Sequence, residues 1–522
     1  MPTDREIIVL CLLAVIIWTV RRFFLSPNII RLIPGPKCTS WLYGHMPQLL
    51  LSEEYGEHEF QWQEKYGQVY SIKGCFGEPR LMISDPETAK YIINNSDLFV
   101  FGPSHQKIAN VLFGRGSVFL ARGETHRRLR GIMNPSFSAN NVRALLPIIQ
   151  EIGRKLVDRW DSLGFPGTTV DISPTLHGAA LEVMGNAILE YPFNVLTGQS
   201  DLAQIQKKMV DSAANPTKLG KLFEAALPYI PDVLFRLAFK LPTKTVRMFQ
   251  EYHRITDNLS RDLAEQNRAD RAPGKAKGFI DGFVNDGGVT DQEIGVHLRT
   301  ILFAGQDTTG VTLGWILYKL AQMPGFQQDL RQEIQLSNLT ESSDYNNMPF
   351  LNAIINARTQ AIDTEALRMY CAFPLSERTV TEDCVLPLSR PITTITGAQI
   401  SAIPVRKGQC LYLAIASFNR LNSIWGPDAE EFRPSRWFDK PPRTGISLGP
   451  HPSGLAFLGG PGVCLGWRLA ILELQVLVAE LVGKFVLSLP DNDSVRARLA
   501  INLTPATADG VQQLPLHIEH VS

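Results

Sequence analysis

Charge of one sign is missing from this chain of 522 residues: 51 basic side chains balance 51 acidic ones. That removes the basic footprint expected of a nucleic-acid binder. Cysteine is scarce as well. Its seven copies, Cys11, Cys38, Cys75, Cys371, Cys384, Cys410 and Cys464, form no CxxC pair, which argues against a zinc module and against a disulfide scaffold. An odd count fits a reducing compartment, with most of the seven packed as small hydrophobes and one left for a special role. There is no internal repeat and no low-complexity tract. Only 20% of residues are charged and 44% are hydrophobic, a balance that excludes disordered and coiled-coil chains and leaves ample material for a core.

What is present begins at the N-terminus. Ile7 to Val20 is a mostly apolar run of 14 residues, followed by Arg21-Arg22 and Phe23-Phe24-Leu25. As a helix, 14 residues cover about 21 Å of a roughly 30 Å hydrocarbon core. Counted on to Leu25 the run spans about 28 Å if the arginines snorkel to the headgroups. A cleaved signal peptide is the rival, but the leader Pro2-Thr3-Asp4-Arg5-Glu6 is not basic and arginines stand where small residues would mark cleavage. Residues 1–25 therefore read as an uncleaved anchor, and 26–522 as one folded body kept on the cytoplasmic side by Arg21 and Arg22.

After the hinge Ile33-Pro34-Gly35-Pro36, short strands are expected at Gln68–Ile72 and Leu81–Ile83, around the turn Phe76-Gly77-Glu78-Pro79. Helical periodicity dominates from about Asn141 to Leu339. Arg268 to Gly288 is polar and glycine-rich and reads as a surface loop, and Val385 to Leu413 as small irregular sheets. The expected class is mainly α with small β-sheets.

Chemistry concentrates near the C-terminus, in Phe457-Leu458-Gly459-Gly460-Pro461-Gly462-Val463-Cys464-Leu465-Gly466. Glycines crowd a cysteine that precedes a helical pattern. A helix N-terminus is expected to lower the thiol pKa, and glycines allow close backbone approach to a flat ligand. Upstream, Ala304-Gly305-Gln306-Asp307-Thr308-Thr309 interrupts the apolar helical stretch Ile294 to Leu320. An acid, hydroxyls and a glycine inside such a helix cost helix stability. An Asp-Thr pair passes protons, and the glycine is expected to open a groove. Glu365 and Arg368 share one helical face at i, i+3, and Phe432-Arg433-Pro434-Ser435-Arg436-Trp437 offers another arginine to that pair.

In the chain order AGxDTT, ExxR, FxPxRW and FxxGxxxCxG, these motifs resemble the cytochrome P450 family over essentially the whole chain, in its microsomal, fungal-type eukaryotic form. The resemblance implies a haem-thiolate monooxygenase that takes electrons from NADPH through a membrane-bound reductase, on a single-pass anchor in the endoplasmic reticulum. By resemblance, Cys464 is the axial ligand of the haem iron, Phe457 packs beside it, and Gly460 and Gly466 shape the loop. Asp307 and Thr308 match the proton-delivery pair. Glu365, Arg368 and Arg436 match a structural triad. Arg130 and Arg378 match propionate partners, and His126 stands where the family has tryptophan. Phe101, Phe113, Thr300, Phe303, Ala304, Phe373 and Pro505 are the implied substrate-pocket positions, a largely apolar lining suited to a terpenoid, steroid or aromatic molecule. Alternatives are a haem-thiolate isomerase or dehydratase that uses no O2, and a degenerate haem binder.

Two departures stand out. Gly462 replaces the Arg or His usual two residues before the cysteine, which removes a charge-assisted propionate partner worth about 1.5–3 kcal/mol. Eight residues, Ala357 to Thr364, separate Leu351-Asn352-Ala353-Ile354-Ile355-Asn356 from Glu365, either as a real insertion or as a gene-model splice error. At about 100° per residue they rotate the apolar stripe by roughly 80°.

Overall fold

The computed structural model describes residues 29–198, 200–269, 278–285, 289–337, 339–355, 365–438, 448–450 and 454–521. The apolar N-terminal run and Ala357 to Thr364 lie outside the described residues. Within them, no helix is long and apolar enough to cross a membrane.

The fold is mainly helical, with its small sheets set to the sides. Its axis is the helix Asp291–Gln322, 32 residues and about 48 Å long. Thr290 starts it with a reciprocal cap: the hydroxyl accepts from Glu293 N, and the Glu293 carboxylate accepts from Thr290 N at 2.9 Å. The helix is enclosed nearly all round. It packs against Ser173–Val183 on one side and Lys244–Ala269 on another. The second buried rod is Trp467–Lys484, whose residues Leu469 to Val482 are almost continuously apolar and buried.

Strands β1 (Val69–Lys73) and β2 (Pro79–Ile83) pair antiparallel around a turn with positive φ at Phe76 (60°) and Gly77 (72°). With β3 (Phe99–Val100), β5 (Leu375–Val380) and β8 (Cys410–Ala414) they form one sheet in the order β1-β2-β8-β5-β3. The strand between them in sequence, β4 (Thr168–Asp171), joins the C-terminal strands instead. Strands β6 (Cys384–Thr393) and β7 (Gln399–Val405) make a separate hairpin with a register shift between Pro387 and Ile392. A last hairpin, β10 (Arg496–Leu499) and β11 (Leu503–Ala506), turns through Asn502.

One expectation needs correction here. Within Arg268 to Gly288, the segment Phe279–Asn285 is helical and buries Phe279, Ile280 and Phe283. Three large apolar residues in five positions outweigh the flanking glycines, so this part of the stretch is not a surface loop.

Candidate active site

The loop Phe457 to Gly466 is closed by a hydrogen bond from Cys464 N to Phe457 O at 2.9 Å. Leu458 adopts φ 54° and Gly460 φ 57°. A Cβ on Gly460 would meet Ile93 O at 2.8 Å, so only glycine fits there. Gly466 is less constrained: its added Cβ would meet only the Phe137 ring, at 3.8 Å.

Cys464 keeps exposed surface, yet enclosure by protein pushes its thiol above the ordinary value. Enclosure outweighs the amides of Gly466 and Trp467 and the charge of Arg130, which all pull the other way. The lowered thiol expected from the helix N-terminus is therefore not found, because desolvation is the larger effect.

Arg130, from the helix Gly123–Met133, donates to Val463 O at 3.0 Å and thereby stands beside the cysteine. His126, one turn earlier, has its pKa lowered by burial and then by Arg130. Arg378 on β5 is lowered to about 10 by burial. Its guanidinium lies 4.2 Å from the centre of the Phe101 ring and donates only to its neighbour's carbonyl, Glu377 O. Neither Arg130 nor Arg378 has a carboxylate ion-pair partner among the described residues. A thiol with Arg130 beside it, and a second guanidinium without an ion-pair partner at Arg378, fits a haem, whose iron takes a thiolate and whose propionates take cations.

On the long helix every residue from Ile294 to Ala321 is buried except Ala304, Gly305, Thr308 and Lys319. Ala304 and Thr308 are i, i+4, so they form one uncovered strip, the face available to a flat ligand. Thr308 Oγ1 donates to Ala304 O at 2.7 Å. Gly305 does not open a groove as its position suggests. A Cβ there would lie 2.4 Å from Met184 Sδ, so the glycine admits Met184.

Asp307 turns away from that strip. Its Oδ2 accepts from Asn502 Nδ2, and its Oδ1 faces His177 Nε2 at 3.2 Å. The structure does not join the Asp307 and Thr308 side chains.

Glu365, Arg368 and Arg436 meet in a buried cluster. Arg368 Nε and Nη2 donate to the two Glu365 oxygens at 2.9 and 2.8 Å, and Arg436 Nε stands 3.5 Å from Oε1. The motif reading included Trp437 without giving it a role and missed Asp428. Trp437 Nε1 donates to Glu365 at 3.2 Å, and Asp428 pairs with Arg436 at 2.8 Å. Arg368 Nη1 also donates to Asn419 O, while Asn419 Oδ1 accepts from Leu455 N. That path ties the cluster to the start of the cysteine loop.

Of the pocket positions, Phe113 meets Phe303 at a ring separation of 5.8 Å and Phe119 at 5.7 Å, and Phe119 stacks on Phe101 at 4.6 Å. Phe119 is the ring that sequence reading missed. Thr300 Oγ1 bonds Val296 O and sits 2.8 Å from Ser117 Oγ. Phe373 is 46% exposed and outside this stack. Pro505 lies buried in β11.

A family model described as Cytochrome P450 matches residues 33–505. Cytochrome P450 monooxygenase 91 of Postia placenta is 30% identical, covering 99% of this chain and 99% of its own. Cytochrome P450 monooxygenase 205 of the same fungus is also 30% identical, over 97% and 96%. Cytochrome P450 monooxygenase claU of Ampulloclitocybe clavipes is 26% identical over 89% and 87%.

Proposed function

The chain belongs to the cytochrome P450 family and is a haem-thiolate monooxygenase, and on that premise we propose which residues serve the reaction and on what kind of substrate. Cys464 would supply the thiolate that holds the haem iron, with Phe457 and Gly460 holding its loop. Arg130 and Arg378 would take the propionates, and His126, one turn before Arg130, would stand beside them. When bound, the thiolate-ligated haem supplies the oxygen-activating chemistry. The chain's own residues orient the group, keep water out and manage protons. Thr308 presents a hydroxyl on the uncovered strip of the long helix, and Asp307, whose side chain points elsewhere, is the acid that supplies its protons through intervening water. Glu365, Arg368 and Arg436 fix the backbone behind the cysteine loop.

The substrate is a lipophilic molecule of terpenoid, steroid or aromatic class, and the observation that carries this is the ring sequence Phe101, Phe119, Phe113, Phe303 leading to Ala304. Such a lining offers apolar contact and few charges, so it rewards a hydrophobic ligand. Electrons come from NADPH through a reductase partner. Residues 1–25 anchor the 26–522 body to the cytosolic face of the endoplasmic reticulum. Support for membrane association comes from Leu219, Phe223, Tyr229, Val233, Leu234 and Leu237, all more than half exposed. The test is NADPH-dependent O2 uptake by protein and reductase in vesicles, over a panel of terpenoids, steroids and charged analogues. Uptake and product with the lipophilic members are expected. Turnover of charged molecules alone, or rearranged product without O2 uptake, would sink the proposal.

A further inference from the structure

The contact between His177 and Asp307 has a proton-counting consequence. His177 belongs to the helix Ser173–Val183, and its Nδ1 lies 2.8 Å from Ser173 O. A carbonyl only accepts, so Nδ1 must carry a hydrogen in every state of the ring. Nε2 then faces Asp307 Oδ1 at 3.2 Å. With no hydrogen on either atom, two acceptors would stand at that distance in a largely buried place. The geometry thus favours one more proton on the pair, held between Nε2 and Oδ1.

The surroundings are built for this contact. Gly310, one turn beyond Asp307, seats the ring: an added Cβ would come within 2.9 Å of His177 Cγ and Cδ2. Asp307 Oδ1 is buried without an aligned hydrogen bond, and Asn502 occupies the other oxygen. The charged groups acting on His177 are Asp307 on the long helix and Asp171 on β4. Asp171 Oδ1 is already engaged by Ser173 N and Leu514 N. Burial lowers the imidazole pKa, but these carboxylates and the Ser173 carbonyl outweigh it and the net direction is upward. The His177 side chain is 24% exposed against 5% for Asp307, so it offers the pair a route to solvent.

We propose that His177 is a positioning residue of the proton relay, sharing one transferable proton with Asp307 and reloading that proton from solvent. This rests on the monooxygenase site described above. A raised imidazole pKa keeps the shared proton at neutral pH and loses it as pH rises. Coupled turnover should therefore fall on the alkaline side.

In reconstituted holoenzyme, His177→Gln keeps a donor but cannot titrate. It should retain the thiolate-type CO spectrum, divert about tenfold more reducing equivalents to peroxide, and lose the alkaline fall in coupling. Gly310→Ala strengthens a helix in principle yet displaces the ring, and it should reproduce both changes. A readout independent of turnover is the His177 NMR titration in the reduced CO-bound protein. The ring should titrate above the ordinary imidazole range, and Asp307→Asn should bring it down. Wild-type coupling and pH profile in both His177→Gln and Gly310→Ala would overturn the proposal, as would a His177 titration that Asp307→Asn leaves in place. Absence of the thiolate spectrum from the wild type would instead refute the site, while the His177 titration would still report on the shared proton.

Discussion

Replacing Glu365 by glutamine preserves its volume and deletes one buried charge. In the native protein the carboxylate is fully buried and accepts from Arg368 at 2.9 and 2.8 Å, Arg433 N at 2.7 Å and Trp437 Nε1 at 3.2 Å. After the change Arg368 keeps the carbonyls of Asn419, Ala429 and Glu431 but has no anion. Arg436 retains Asp428 at 2.8 Å. One guanidinium, not two, is thus left buried and uncompensated, and the expected cost is that of breaking a single buried pair, about 3–5 kcal/mol. Against a total stability of about 5–15 kcal/mol, that is a third or more for many domains. Arg436→Gln should cost less, about 1–2 kcal/mol, because its contact with Glu365 is long, Glu365 keeps Arg368, and the Asp428 it releases keeps Arg433 at 2.7 Å. The assay follows loss of the thiolate-type CO spectrum on heating alongside urea unfolding by tryptophan fluorescence. A cost below about 1 kcal/mol for Glu365→Gln, or equal costs for the two variants, would refute the reasoning.

Thr308→Ala should leave haem and substrate binding intact and send electrons to peroxide, and unchanged coupling of NADPH use to product would remove Thr308 from the relay. Gly462→Arg is sterically admitted, since an added Cβ meets nothing within 4 Å. A regained propionate partner should slow haem transfer to apomyoglobin about tenfold or more, whereas unchanged release would mean that Arg130 and Arg378 already suffice. For Glu377, burial acts to raise the pKa, but Arg80, His105 and Tyr412 outweigh it and hold the carboxyl well below the usual range. A depressed carboxylate adds stability that is present above its unfolded pKa of about 4.3 and is lost as pH falls below that. Glu377→Gln should therefore flatten the acid limb of a plot of Tm against pH, and an unchanged limb would count against the ion pair.

The sequence made legible those features whose cause is local. Periodicity placed the long helix at Ile294 to Leu320, and the structure extends it to Asp291–Gln322 because Thr290 and Glu293 cap it. The strands near Val69 and Leu81 were readable from β-branched residues beside a turn. What a motif could not reveal was geometry between distant segments. His177, Asp307 and Asn502 converge from three parts of the chain, and nothing around His177 marks it. Asn502, whose sequence neighbours give it no marked role at the site, is 1% exposed and bonded to Asp307. Gly305 offered a plausible role that packing against Met184 overturns. The thiol pKa failed for a related reason: a helix terminus is visible in sequence, whereas the degree of enclosure around Cys464 is a property of the fold.

The central claim is that Cys464 supplies the iron ligand, and the reduced, CO-bound absorption spectrum tests it most directly. Wild-type protein in membranes should show the red-shifted Soret band of thiolate ligation, and Cys464→Ala should abolish it. A band at the ordinary haem position in the wild type, or a red-shifted band that survives Cys464→Ala, would contradict the assignment.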